Sequence, residues 1–223
     1  SNSGHAGTLA FEMSDGPDRL ITNCGGVRGL EAPLAPALAS GLSTTAAHST
    51  LVIADTNSTR IRDDGTLAAG VEEVTLALRS SVEGQLIETS HNGYAKRFGM
   101  LVRRRLFLTA DGTELAGEDL IEAAPAGLLR RRAERNFDVR FHLGPGVSAT
   151  PTADGMGALL KTPSGRIWAF KVRLESGAGR LAIEPSVWVD GAGSIQRTQQ
   201  LVVSGGTQKM AADVHWSLKR AGK

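Results

Sequence analysis

What most constrains this chain is how its apolar residues are parcelled out: short runs of alternating or β-branched character, each closed by Gly, Asp, Asn, Ser or Pro. A helix-rich protein needs long stretches of period 3.6, whereas evenly spaced short runs with turn residues between them are the pattern of an all-β domain. The turn formers are plentiful, with 27 Gly and 8 Pro among 223 residues. Ser14-Asp15-Gly16-Pro17 sits between an alternating run over 8–13 and another over 19–22, which reads as a hairpin. Ser49-Thr50-Leu51-Val52-Ile53-Ala54 is β-branched and apolar and ends in Asp55-Thr56-Asn57-Ser58. Further strands are expected at 71–80, 85–89, 100–109, 119–123, 137–143, 157–162, 166–173, 180–189, 195–204 and 209–218. About a dozen strands and little helix pack most economically as two large antiparallel sheets face to face, a β-sandwich.

Two segments depart from that rhythm. Residues 30–40 carry Pro33 and Pro36, so a loop with at most one helical turn is expected. Residues 126–135 are the best helix former and contain Arg130, Arg131, Arg132 and Arg135; a solvated helix or ordered loop competes there with an anion-binding surface. In the 101–108 strand, period-two geometry puts Arg103 and Arg105 on one face and Arg104 on the other. An inward Arg104 requires an acidic partner.

Charge and cysteine content exclude several classes. A formal charge of +2 gives no case for nucleic-acid binding by bulk charge, and the lone Cys24 rules out an intramolecular disulfide framework. No apolar run approaches the ~18 residues of a membrane span, and the first residues show no signal peptide. Ser1-Asn2-Ser3-Gly4 reads as an expression scar or domain-boundary remnant, with 5–223 as one domain. There is no Gly-x-Ser-x-Gly elbow, phosphate loop or His-Glu-x-x-His helix, which leaves serine hydrolases, nucleotide enzymes and zincin proteases without support.

The histidines carry what chemistry the residues suggest. His5 and His48 each stand at the mouth of a strand, and if those strands are neighbours both imidazoles can face one ion, with the carbonyl oxygen of Asn23 as a third ligand; Zn²⁺ suits such a set. A pair of hydrogen-bonded structural histidines is the competing account of the same spacing. His91 lies three residues before Tyr94, the lone tyrosine, across a glycine-containing turn. Both side chains can exchange protons when their surroundings shift their pKa values, and a buried structural tyrosine is the equal alternative. His142 alternates with Phe141 and Leu143, so it points away from their face as a cross-strand hydrogen-bonding residue, and His215 reads the same way.

Three runs, His5-Ala6-Gly7-Thr8-Leu9-Ala10-Phe11-Glu12, Leu20-Ile21-Thr22-Asn23-Cys24-Gly25 and Ser43-Thr44-Thr45-Ala46-Ala47-His48-Ser49-Thr50, occur in an order that resembles the heparinase II/III-like C-terminal domain. Later stretches extend the likeness over nearly the whole chain: His91-Asn92-Gly93-Tyr94 before Arg103-Arg104-Arg105, Arg140-Phe141-His142-Leu143, Pro163-Ser164-Gly165 with Trp168, and Arg197-Thr198-Gln199-Gln200. The resemblance implies an antiparallel β-sandwich that normally follows an α/α toroid in a lyase acting on uronic-acid-containing polysaccharides such as glycosaminoglycans. In such lyases the C5 proton of the uronate is removed and the C4–O bond breaks, with Tyr and His sharing acid and base roles. It also implies that the family's metal site falls on His5, Asn23 and His48, and a periplasmic setting in Gram-negative bacteria. Two departures stand out: Asn23 replaces the usual Asp, and Ser3 stands where a catalytic His precedes the metal-binding one.

The expectation is therefore the sandwich domain of a heparinase-like polysaccharide lyase, inactive without its toroid, with His5, Asn23 and His48 as a metal or polar site. His91 and Tyr94 are the next candidates for catalysis, and Arg104 and Arg105 for binding substrate. The rivals are a sandwich that docks an anionic glycan without cleaving it, using Arg104, Arg105 and the 130–135 basic run, and a purely structural partner of its own toroid.

Overall fold

A computed structural model describes residues 4–27, 30, 34–125, 133–175 and 179–222. In chain order the strands are β1 (Met13–Asp15), β2 (Asp18–Thr22), β3 (Leu51–Ile53), β4 (Val74–Ser80), β5 (Gly84–His91), β6 (Met100–Thr109) and β7 (Glu114–Ala123). They continue with β8 (Asn136–Leu143), β9 (Ser148–Pro151), β10 (Gly157–Lys161), β11 (Ile167–Leu174), β12 (Arg180–Val189), β13 (Ile195–Gly206) and β14 (Ala212–Arg220). Two short helices, α1 (Pro36–Leu42) and α2 (Ala95–Phe98), and a 3-10 turn over Thr45–Ala47 complete the described elements.

The strands form two antiparallel sheets. One has the order β1-β2-β8-β13-β12, with β3 also pairing β8, and the other runs β4-β5-β6-β7-β14-β11-β10-β9. Alternation decides which face each strand buries. On β8, Phe137, Val139, Phe141 and Leu143 point into the core between Asp138, Arg140 and His142, which face outward. The ring of Phe141 meets Trp216 of β14 at 4.9 Å and Phe170 of β11 at 5.0 Å, both edge to face, so aromatic contacts join the two sheets. Trp168 and Trp216 are both buried. Each anchors its indole N–H on a carboxylate, Trp168 on Asp15 at 3.1 Å and Trp216 on Asp119 at 2.8 Å.

The outward face of the larger sheet is held by cross-strand charges. Arg79 meets Glu88 at 3.2 Å, Arg105 reaches Glu88 at 2.9 Å and Glu118 at 3.1 Å, and His215 lies 3.4 Å from Glu118. Opposite charges at paired positions stabilise a solvated face by a few tenths of a kcal/mol up to about 1 kcal/mol per pair.

The expected sandwich is present, with local differences, among them a β7 that begins at Glu114 where only 119–123 was expected. The alternating run over 8–13 contributes only its last residue to β1; upstream, Leu9 has φ of 61° and its carbonyl accepts from Arg104 instead of from a neighbouring strand. Residues 36–42 form a helix longer than the single turn expected, because Pro36 occupies the first helical position, where a missing N–H costs nothing. β9 is a short edge strand that ends in Pro151, and its small polar residues give no strand signal. The basic stretch at 126–132 lies outside the described residues.

Candidate functional site

The chain's entry segment and the loop before β3 are stitched together, and that stitching makes the site. Ala6 N–H donates to Ser43 O at 2.9 Å, while its own carbonyl accepts from the hydroxyls of Thr45 (2.6 Å) and Ser58 (3.0 Å). The Thr45–Ala47 turn then ends at His48, which adopts extended backbone and presents its ring to His5. His48 Nδ1–H donates to Thr44 O at 2.7 Å, leaving Nε2 as the acceptor, 3.1 Å from His5 Nδ1. The rings meet edge to face with centroids 5.2 Å apart. Gly7 passes so close that a Cβ there would lie 2.3 Å from the His48 ring, so no larger residue fits without displacing it. Burial pushes the pKa of both imidazoles down, and each is neutral near pH 7.

Asn23, at the end of β2, joins them through the backbone. Its Oδ1 accepts from Ser49 N–H at 2.9 Å, next to His48, and its Nδ2 donates to Glu12 Oε1 at 3.0 Å. The three residues read as one site from the sequence do converge. Among the described residues, no three His, Cys, Asp or Glu side chains alone stand close enough to hold a metal ion, so a metal here would need Asn23 as a ligand. The two imidazole nitrogens fit one part of a zinc site, and Asn23, with its oxygen turned to a backbone N–H, does not fit the rest.

His91 and Tyr94 are also brought together, with ring centroids 5.7 Å apart, but inside the core. His91 Nδ1 accepts from Gly93 N–H at 3.1 Å while its Nε2 has no partner among the described residues. Burial, and then the charge of Arg104, lower its pKa to about 4. Tyr94 donates to Thr56 O at 2.9 Å, and burial pushes its phenol above the usual range. Neither ring reaches solvent in this domain.

Arg104 and Arg105 point to opposite faces of β6, as the alternation requires. Arg104 is 1% exposed and forks onto the Asp119 carboxylate at 2.7 and 3.0 Å, with further donation to Leu9 O at 2.8 Å and Ser49 O at 2.7 Å. Its inward charge has the acidic partner that such a position demands. Arg105 lies between Glu88 and Glu118 on the outer face.

A second cluster lies on the outer face of the smaller sheet. Cys24 Sγ lies 3.3 Å from His142 Nδ1, which is 2.8 Å from Ser186 Oγ, and His142 Nε2–H donates to Ala46 O at 2.9 Å. These residues line an open cavity of about 450 Å³ beneath α1. Burial pushes the Cys24 thiol up and His142 down to about 4, so both are neutral and the thiol is not activated. The outward direction of His142 is readable from the alternation, but its partners come from strands far apart in sequence.

Residues 1–217 match the family Heparinase II/III-like, C-terminal. The chain belongs to this family. Among curated proteins it is similar to FtsZ-localized protein C of Caulobacter vibrioides, with 32% identity over 225 residues covering 95% of this chain and 37% of that protein. Among solved structures, a heparinase III aligns over 97% of this chain and 30% of its own with a TM-score of 0.75 and 13% identity. The heparan sulfate lyase HepC of Pedobacter heparinus aligns over 98% and 31%, with a TM-score of 0.76 and 11% identity. At such identities the structural matches establish the sandwich alone. This heparinase II/III-like sandwich spans about a third of the length of these relatives. Among its described residues, no helix is long and apolar enough to cross a membrane.

Proposed function

We propose that this chain is the C-terminal sandwich domain of a heparinase-like polysaccharide lyase that performs β-elimination on a uronic-acid-containing polysaccharide, and that it is inactive without its N-terminal α/α toroid. The observation that carries this reading is the His5–His48 pair: two neutral imidazoles, the outer one only half-buried. A neutral imidazole is the form that accepts a proton, and abstraction α to a carboxylate is the first step of such an elimination. That step also needs positive charge at the uronate carboxylate to stabilise the developing enolate. Arg104 and Arg105 are both taken up by carboxylates of this domain, so in this reading that charge comes from other residues of the full-length protein. A periplasmic setting and an anionic polysaccharide partner belong to this reading.

The test compares the full-length protein, its His5→Ala variant and this chain on a panel of uronate polysaccharides, by ultraviolet absorbance of the unsaturated product. Activity of the full-length protein alone, reduced ~100-fold or more by His5→Ala, supports the reading. A full-length protein inactive on every member of the panel overturns it.

A second reading is favoured by one observation: identity to FtsZ-localized protein C is 32%, against 11–14% for the solved lyases. In that reading the sandwich is a non-catalytic, structural or glycan-docking part of a protein that localises with FtsZ. Co-localisation of the tagged full-length protein with FtsZ, together with absence of lyase activity, supports it.

A further inference from the structure

The resemblance places a metal centre on His5, Asn23 and His48, and the hydrogen bonds at these residues describe something different. We infer that this sandwich carries a metal-free site in its place: a chain of hydrogen bonds running from Thr44 O through His48 to His5, closed by an amide bridge from Asn23 to Glu12. That composition holds whether the full-length protein is a lyase or not.

The first of three observations carries it, and the other two describe the histidine pair beside it. The first is the assignment of Asn23, whose two amide ends have opposite partners. Ser49 N–H requires an acceptor, so the oxygen faces it at 2.9 Å; the Glu12 carboxylate requires a donor, so the nitrogen faces it at 3.0 Å, and Asn23 N–H adds a second bond to the same oxygen at 3.2 Å. A flipped amide would set oxygen against carboxylate and N–H against N–H, so the orientation is fixed. An aspartate in this position would bring two carboxylates to about 3 Å, a contact that ordinarily forces one of them to hold a proton. Asn23 and Glu12 therefore belong together, and the negative charge that a zinc ion would use is spent on an amide.

The second is the pair itself. Tetrahedral zinc with Zn–N bonds of about 2.0–2.1 Å holds two imidazole nitrogens about 3.3–3.4 Å apart, both presenting lone pairs. Here the separation is 3.1 Å, close to that spacing and within hydrogen-bond range, so the pair by itself suits either arrangement and the choice falls to Asn23 and Glu12. The third is tautomer order. Thr44 O fixes the His48 proton on Nδ1, which turns the His48 Nε2 lone pair toward His5 Nδ1; a His5 proton on Nδ1 completes the N–H···N bond and leaves the lone pair of the relay at His5 Nε2. That atom lies beside Gly26, where a Cβ would stand 3.3 Å away.

The test is zinc retention by the purified chain, loaded with zinc, desalted without chelator and measured by elemental analysis. The wild-type chain is expected to retain less than about 0.1 zinc per chain, with no change in His48→Ala, and the double variant Asn23→Asp, Glu12→Gln to retain close to one, lost again when His48→Ala is added. A wild-type chain that holds about one zinc and releases it on His48→Ala overturns the inference. So does a double variant with wild-type circular dichroism that stays free of zinc, since Asn23 and Glu12 would then not be what excludes the metal.

Discussion

Arg104 donates to the backbone carbonyl of Ser49 at 2.7 Å, which fastens the residue after His48 to the interior of the opposite sheet. The same guanidinium holds Leu9 O on the entry segment and forks onto Asp119, so one side chain ties together both strands of chain that carry the histidines. Removing it leaves the Asp119 carboxylate buried with Trp216 N–H as its remaining partner. Arg104→Ala should destabilise the fold by about 3–5 kcal/mol, because an unpaired buried charge is far more costly than a lost contact. Arg104→Lys keeps the charge but not the fork, so it should fold and shift the ring resonances of His48 in NMR spectra. Arg105→Ala, on the solvated face, should cost under about 1 kcal/mol and leave those resonances in place. Urea unfolding and histidine NMR separate the three; equal effects of Arg104→Lys and Arg105→Ala would contradict this role for Arg104.

Gly7 controls the same pair sterically. A methyl group there would lie 2.3 Å from the His48 ring, within van der Waals contact, so Gly7→Ala must push the imidazole away from His5. The expected cost is about 1–3 kcal/mol, together with loss of the shared N–H···N proton signal. An unchanged His48 resonance in the folded variant would show that the loop absorbs the methyl group elsewhere.

How much of this was legible in the sequence follows from the range of each interaction. Strand identity rests on alternation within one segment, and β8 shows it plainly, with Phe137, Val139, Phe141 and Leu143 inward and charged or polar residues between them. The 8–13 run misleads because its alternation is real but its hydrogen bonds go to Arg104 and Thr50 side chains, not to a neighbouring strand. The convergence of His5, Asn23 and His48 is visible as three motifs in order. Whether Asn23 presents its oxygen to an ion is not, because that depends on Glu12 and Ser49 lying on either side of it. Likewise Cys24, His142 and Ser186 meet only through the registry of β2, β8 and β12.

Buried imidazoles shape the acid limb of the stability curve, His91 and His142 most strongly. His91 and His142 both fall from an ordinary pKa of 6.5 to about 4 on folding. The unfolded chain thus takes up these protons first as pH falls, so the stability they contribute is complete above pH 6.5 and is lost as pH drops toward 4. At 1.36 kcal/mol per pKa unit, each contributes up to about 3 kcal/mol of that loss. His142→Gln should lower stability at pH 7, by breaking its bond to Ala46 O, yet flatten the decline below pH 6.5 by about one proton's worth of slope. Urea unfolding from pH 4 to 7 reads both effects, and an undiminished slope in His142→Gln would mean that His142 is not held neutral in the fold.

The edge of the larger sheet makes the last prediction. Leu76 pairs with Thr89 and Thr89 with Arg104, so Val74, Leu76 and Leu78 lie on the inward-facing side of the sheet, yet they are 53%, 73% and 63% exposed. β4 is the outermost strand, and its apolar side extends past the cover of the smaller sheet. Because little area is buried there, Leu76→Lys and Leu78→Lys should change stability by no more than about 0.5 kcal/mol. An apolar edge with free backbone N–H and C=O groups is a template for pairing with other chains, and an inward-facing lysine blocks it. The wild-type chain should associate through this edge as its concentration rises, and the double variant should stay dispersed in light scattering at the same concentrations. Loss of more than about 2 kcal/mol would mean instead that these leucines pack against the body of the sandwich.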